Sequence, residues 1–157
     1  MIATGTGYDV HRLVMDRPLI LGGVRIEHSL GLDGHSDADV LCHAIADALL
    51  GAAGEPDIGH MFPNTDPAIR GISSLEILRK VRARLDELAV TIHNVDATLI
   101  AEEPRISPHL SAMKENVGAA LGLPPSRVGI KATTNEGLGF PGRGEGMAAL
   151  ATACVDR

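Results

Sequence analysis

Aromatic bulk is nearly missing from this chain, which has no tryptophan, one tyrosine and two phenylalanines. Its core must be built from Ala, Val, Ile and Leu, and so aliphatic a chain is suited to completing that core by association. Positive charge is short as well: 14 Lys and Arg stand against 20 Asp and Glu, a net charge of -6. That balance excludes the basic field that a nucleic-acid or anionic-membrane surface needs. An anionic substrate would instead be held by metal ions or by local Arg, Lys and backbone N–H groups. Cysteine is confined to Cys42 and Cys154, without the spacing of a metal or redox motif. Two reduced, buried thiols are expected, as suits the cytoplasm. Neither a signal-peptide pattern nor an apolar run of membrane-span length occurs. Repeats, linkers and low-complexity tracts are absent too.

What is present has the size of one domain, 157 residues with 45% apolar side chains. The stretch "IATGTGYDVH" alternates like a strand, and "PLILGGVRI" reads as a second, with a bulge or bend at Gly22-Gly23. Ser36 is the expected N-cap of a helix, with Asp39 in the capping-box position. Val40, Leu41, Ala44, Ile45, Ala48 and Leu49 form its core stripe. Residues 54–71 follow neither period, and a loop of that length inside one domain is usually functional or disordered; the apolar Ile58, Met61 and Phe62 speak against plain disorder. Ser73 with Glu76 opens a second helix that turns Leu75, Leu78, Val81, Leu85 and Leu88 inward. "VTIHNVDATLIA" is a strand, and a third helix starts with Ser107 as cap and Pro108 in its first turn. "RVGIKATT" and "GMAALATACV" are the last strands, on either side of the glycine-rich "NEGLGFPGRGEG". The expected order is ββααβαββ, a single α+β domain over residues 1–157, with helices on one face of a mixed β-sheet.

In "GYDVHR", Asp9 and His11 are two residues apart, so on a strand they project to the same face. Asp39, His43 and Asp47 share one side of the first helix. If that helix packs on the first strand, His43 joins Asp9 and His11. Two imidazoles and a carboxylate make the donor set of a catalytic zinc with one open position. Asp47 or Asp39 would then orient the His43 ring from behind. The alternative is local hydrogen bonding by Asp9 and His11, with His43 an ordinary half-buried histidine. His35 precedes the helix start, where free N–H groups and the helix dipole favour an anion; alone, it reads as a loop histidine beside a cap. Residues 130–146 run from the end of a strand through Thr133, Thr134 and Glu136 to Arg143. No Gly-Lys-Ser/Thr follows the glycines, so this is not a Walker A loop. It reads equally as a phosphate-and-magnesium cradle or as a hairpin whose glycines supply positive φ. Arg105, ahead of the third helix, faces either a phosphate or base, or only water.

Taken in order, "GYDVH", "GHSDADVLCHA", "ALLGAAGEPDIGHMFPNTDP", "NVDATLIAEEPRISPH" and "IKATTNEGLGFPGRGEG" are spread from residue 7 to residue 146. They resemble the successive motifs of the 2-C-methyl-D-erythritol 2,4-cyclodiphosphate synthase family. The resemblance implies one zinc per subunit on Asp9, His11 and His43, and a second divalent cation, magnesium or manganese, on Glu136. It implies His35 and Thr134 as the residues that stabilise the transition state. Substrate contacts are implied at Asp9, Val10 and His11, and at His35 and Ser36. The methylerythritol part would meet Asp57, Ile58 and Gly59, then Phe62, Pro63, Asn64, Thr65 and Asp66. Ala101, Glu102, Glu103, Pro104, Arg105, Ile106 and Ser107 match a cytidine diphosphate pocket, together with Ala132, Thr133 and Thr134. Asn135, Glu136, Phe140 and Arg143 match further substrate positions. Pro56 and Asn64 depart from the family's usual Gly-Asp-Ile-Gly and Phe-Pro-Asp-Thr-Asp. Pro56 fixes φ ahead of Asp57, and Asn64 removes a charge.

The activity so implied is conversion of 4-diphosphocytidyl-2-C-methyl-D-erythritol 2-phosphate to the 2,4-cyclodiphosphate and CMP, by a phosphorus–oxygen lyase of the non-mevalonate isoprenoid pathway. The resemblance further implies a cytoplasmic homotrimer with sites shared between subunits, and no nucleic-acid or membrane partner. Two other functions fit parts of the chain. "HSDAD" has the look of a metal-hydrolase motif, which would make a zinc phosphodiesterase or phosphatase. A trimeric module with structural zinc would need a fourth protein ligand, and the residues offer three.

Overall fold

A mixed sheet with helices on one face forms the protein in the computed structural model, which describes residues 1–157. The long strands are β1 (Ile2–Val14), β5 (Thr91–Ile100), β6 (Val128–Thr133) and β7 (Gly146–Asp156). Short β2 (Leu19–Leu21) and β3 (Val24–Ile26) make a separate hairpin, and β4 (Gly31–Leu32) joins the main sheet. The order across that sheet is β4-β1-β7-β5-β6, antiparallel except where β5 meets β6. The helices are α1 (Val40–Ala53), α3 (Ser74–Glu87) and α4 (Leu110–Leu121), with one-turn α2 (Ile58–Met61) and α5 (Gly139–Gly142). None is long and apolar enough to cross a membrane.

Glycine decides where α1 sits. A Cβ on Gly5 would lie 2.2 Å from the Ala48 carbonyl oxygen, and one on Gly7 only 2.0 Å from that of Ala44. Two glycines on the same face of β1 therefore let α1 rest directly on the strand backbone. The inward faces of β5 and β7 are small or aliphatic: Val95, Ala97 and Leu99, then Met147, Ala149 and Ala151, all buried. They close the core against Leu41, Ile45 and Leu49 of α1. Leu78, Val81 and Leu85 of α3 are buried in the same core, and α3 packs against α1. The opposite face of the sheet carries no helix. There Tyr8, Val10 and Leu150 are 56%, 44% and 49% exposed.

Several sequence expectations are corrected in detail. Gly22 and Gly23, with φ of +55° and +71°, close the β2–β3 hairpin rather than bending one strand. Asp39, not Ser36, caps α1. Its two carboxylate oxygens accept from Cys42 N and also from Gly22 N and Gly23 N, which a single serine hydroxyl could not do. Ser73 does cap α3, but Glu76 pairs with Arg79, and Leu88 at the helix end is exposed. Ser107 caps nothing: Pro108 lies in a 3-10 turn, Ser107–His109, and α4 starts at Leu110. The long loop contains α2 and a second 3-10 turn, Pro67–Ile69. The glycine-rich segment is not a hairpin, because β5 lies between β6 and β7. Of the two free thiols, Cys42 is buried and Cys154 only partly so.

Candidate active site

Asp9 and His11 lie on the same face of β1 as Gly5 and Gly7. The close approach of α1 therefore sets His43 over them. His11 Nε2 is 2.9 Å from Asp9 Oδ2, His43 Nδ1 is 3.1 Å from the same oxygen, and the two ring nitrogens are 3.2 Å apart. The outer nitrogens are engaged elsewhere. His11 Nδ1 donates to the Asp33 carbonyl at 2.6 Å, while His43 Nε2 lies 2.9 Å from Ser74 Oγ and 3.2 Å from Ser36 Oγ. Two inner nitrogens and a carboxylate oxygen thus converge within 4.8 Å, a set able to hold one divalent metal ion. The three donors expected from the sequence are brought together by this geometry, but neither acid expected to orient His43 does so. Asp39 caps α1, and Asp47 accepts from Ile58 N at 2.9 Å.

Burial pulls the Asp9 carboxyl upward, but hydrogen bonds from His11 and His43, with their charges, outweigh it and hold it down at about 2. Burial likewise depresses His11, and the Asp9 hydrogen bond and charge reverse it, so its pKa rises above the ordinary value. A metal ion must displace the proton that this pair retains on Nε2. Titration with zinc near pH 7 is therefore expected to release a fraction of a proton per chain. Apparent affinity should fall as pH drops through the raised His11 pKa. Calorimetry in buffers of different ionisation enthalpy measures this; heats independent of buffer would contradict it.

The metal set opens into a cavity of about 200 Å³, whose other walls include His35, Ser36, Ile58, Gly59, Phe62 and Asn64. Phe62 is buried there, so the apolar residues of the long loop have a place in the fold. An adjoining polar cavity shares His35 and Asn64 and adds Thr65, Asp66, Arg17 and Arg70. A second region is separate within one chain. Ala101–Ser107 and Ala132–Thr134 line a groove of about 620 Å³, together with His28. Glu102 ties this groove to the next loop by accepting from Asn135 N and Gly137 N. Between those two, Glu136 is held in the left-handed region at φ +54°.

The model of the YgbB family matches residues 2–156. The chain belongs to the YgbB family. It is 63% identical over 157 residues to the 2-C-methyl-D-erythritol 2,4-cyclodiphosphate synthase of Akkermansia muciniphila, covering 99% of this chain and 93% of that protein. Among solved structures, the bifunctional IspDF of Campylobacter jejuni aligns with a TM-score of 0.95 at 42% identity, covering 99% of this chain and 42% of that one. The CDP complex of Plasmodium falciparum IspF aligns with a TM-score of 0.85 at 32% identity, covering 98% of this chain and 95% of that one.

For this YgbB-family chain, the fold thus collects the sequence candidates into two groups rather than one. Asp9, His11, His35, Ser36 and His43 share the metal cavity with part of the long loop; Thr134 lies in the other groove, and Glu136 follows it. Arg105 Nε donates to Ser107 Oγ, and Arg143 pairs with Glu145, so both guanidinium groups have intrachain partners. Val10, by contrast, belongs to the open sheet face. Sequence reasoning missed His28, Asp33, Asp37, Arg70 and Ser74. The tandem "SS" at 73–74 was the one visible signal, since a cap needs only one serine.

Proposed function

We propose that this chain converts 4-diphosphocytidyl-2-C-methyl-D-erythritol 2-phosphate to 2-C-methyl-D-erythritol 2,4-cyclodiphosphate and CMP, as a cytoplasmic phosphorus–oxygen lyase of isoprenoid precursor synthesis. The observation that carries this reading is the three-donor metal set opening into a cavity, in a chain 63% identical to a protein of that name. Within the substrate, an oxygen of the 2-phosphate bonds to the β-phosphorus while the bond from that phosphorus to the CMP oxygen breaks. The nucleophile is already anionic near neutrality, so no general base is required, and no nucleophilic triad is expected.

Positioning and charge dominate such phosphoryl transfers. Alignment of the two phosphates can supply on the order of 7–11 kcal/mol. Zinc on Asp9, His11 and His43 would supply Lewis acidity at the β-phosphate, with magnesium or manganese at Glu136 offsetting the diphosphate charge. His35 faces the reacting phosphates from the metal cavity, and Thr134 stabilises the same charge from the nucleotide side. Ile58 and Phe62 receive the methylerythritol carbons. Ala101–Ser107 and Ala132–Thr134 take the cytidine diphosphate, and Phe140 and Arg143 add outer contacts.

Because the two groups of residues are apart within one chain, a neighbouring subunit completes each site in a homotrimer. The helix-free sheet face, with Tyr8, Val10 and Leu150 exposed, supports such an association. Incubation with the diphosphocytidyl substrate, followed by phosphorus NMR, tests the function. A cyclic diphosphate and CMP are expected. Inorganic phosphate or a linear product would favour a metal hydrolase instead.

A further inference from the structure

We propose that Asp37 and Ser74 form a positioning pair that fixes the outer nitrogen of His43, and so presents Nδ1 to the metal ion. This rests on the metal reading of Asp9, His11 and His43. Ser74 is the first residue of α3 and is fully buried, yet the capping bond of that helix is made by its neighbour: Ser73 Oγ accepts from Leu75 N. The Ser74 hydroxyl is free for another task. It has one proton, and that proton goes to Asp37 Oδ1. Toward His43 Nε2, 2.9 Å away, Ser74 Oγ is therefore an acceptor, and the imidazole proton belongs on Nε2. Nδ1, 3.1 Å from Asp9 Oδ2 and 3.2 Å from His11 Nε2, is then the nitrogen whose lone pair goes to the ion, its hydrogen bond to Asp9 giving way when the ion binds.

Asp37 is built to hold that serine still. Its second oxygen accepts from Ser74 N at 2.9 Å, and its own N–H donates to the Ile72 carbonyl at 3.0 Å. The segment before α1 and the start of α3 are clipped together across the His43 ring. A carboxylate behind the hydroxyl makes it a stronger acceptor, and orientation of a ligating histidine from its far nitrogen raises its worth as a ligand. Ser36 Oγ, at 3.2 Å from the same Nε2, is the weaker partner because it already accepts from Ala38 N.

The test uses the cobalt-loaded protein. In the wild type, proton NMR should show two hyperfine-shifted, slowly exchanging imidazole N–H lines, from His11 Nδ1 and His43 Nε2. In Ser74→Ala the His43 line should exchange at least about tenfold faster, and zinc affinity by chelator competition should fall about 10–100-fold. Asp37→Asn, which keeps an acceptor oxygen, should shift both in the same direction by less, and serves if Ser74→Ala does not fold. A lowered melting temperature with unchanged exchange and unchanged affinity would make the pair merely structural and overturn the proposal. Failure of the wild-type protein to take up cobalt or zinc would instead overturn the metal reading beneath it.

Discussion

His43→Ala should yield a folded protein that carries no zinc and has no cyclase activity. Only a side chain shorter than imidazole is introduced, at the end of a helix whose core stripe is intact, so the fold survives. The ligand set drops from three donors to two, too few to hold the ion against water. Elemental analysis reads the first effect, and a full complement of zinc in the variant would refute the ligand assignment. The same variant tests the shared site. Arg105→Ala damages the other groove, so equal mixtures of the two variants, once exchanged, should regain about one quarter of wild-type turnover. That fraction counts interfaces that pair an intact metal face from one subunit with an intact nucleotide face from its neighbour. Exchange confirmed by mass, with activity still at the level of the parents, would exclude sites shared between subunits.

Gly7→Ala is expected to be the most damaging single methyl in the molecule. Its Cβ would stand 2.0 Å from the Ala44 carbonyl oxygen and 2.8 Å from Ala48 N, both backbone atoms of a buried helix that cannot rotate away. α1 must lift from β1, at a cost of roughly 3 kcal/mol or more, which lowers the melting temperature by about 10 °C. The lift also carries His43 away from Asp9 and His11, so metal affinity should fall with stability. Gly51→Ala provides the opposite case on the same helix. Its nearest neighbour is Thr6 O at 3.9 Å, and an exposed helical glycine replaced by alanine gains about 0.5–1 kcal/mol. Equal melting temperatures for the two variants would mean that the glycine contact does not set the helix position.

The Asp9–His11 pair was legible in the sequence because strand periodicity is local: the two share a face wherever the strand goes. The third candidate donor, His43, was legible only as a condition, that the helix cross the strand, and the condition was written in Gly5 and Gly7 on that same face. Ser74 showed only as a spare serine beside a cap, with its partner unread. Its contact with His43 depends on how α3 packs across α1, a tertiary fact with no periodic trace. The first cap was misplaced because Ser36 satisfies the local rule, whereas Asp39 wins by also serving the glycine turn of a distant hairpin. Strand neighbours were illegible for a similar reason. A glycine-rich link between two strands suggests a hairpin, but nothing local announces that β5 will lie between β6 and β7.

Because β7 lies between β1 and β5, the sheet cannot close until residues 146–156 have been made. Before then β1 has only its last two residues to pair, with β4. Register from Ile2 against Asp156 to Arg12 against Gly146 spans nearly the whole chain, the kind of closure that forms slowly. Asp9 and His11 thus wait on a strand without its main partner while α1, a local element, can already be helical. The strand that carries two of the three candidate donors thus gains its main partner only from the last residues of the chain.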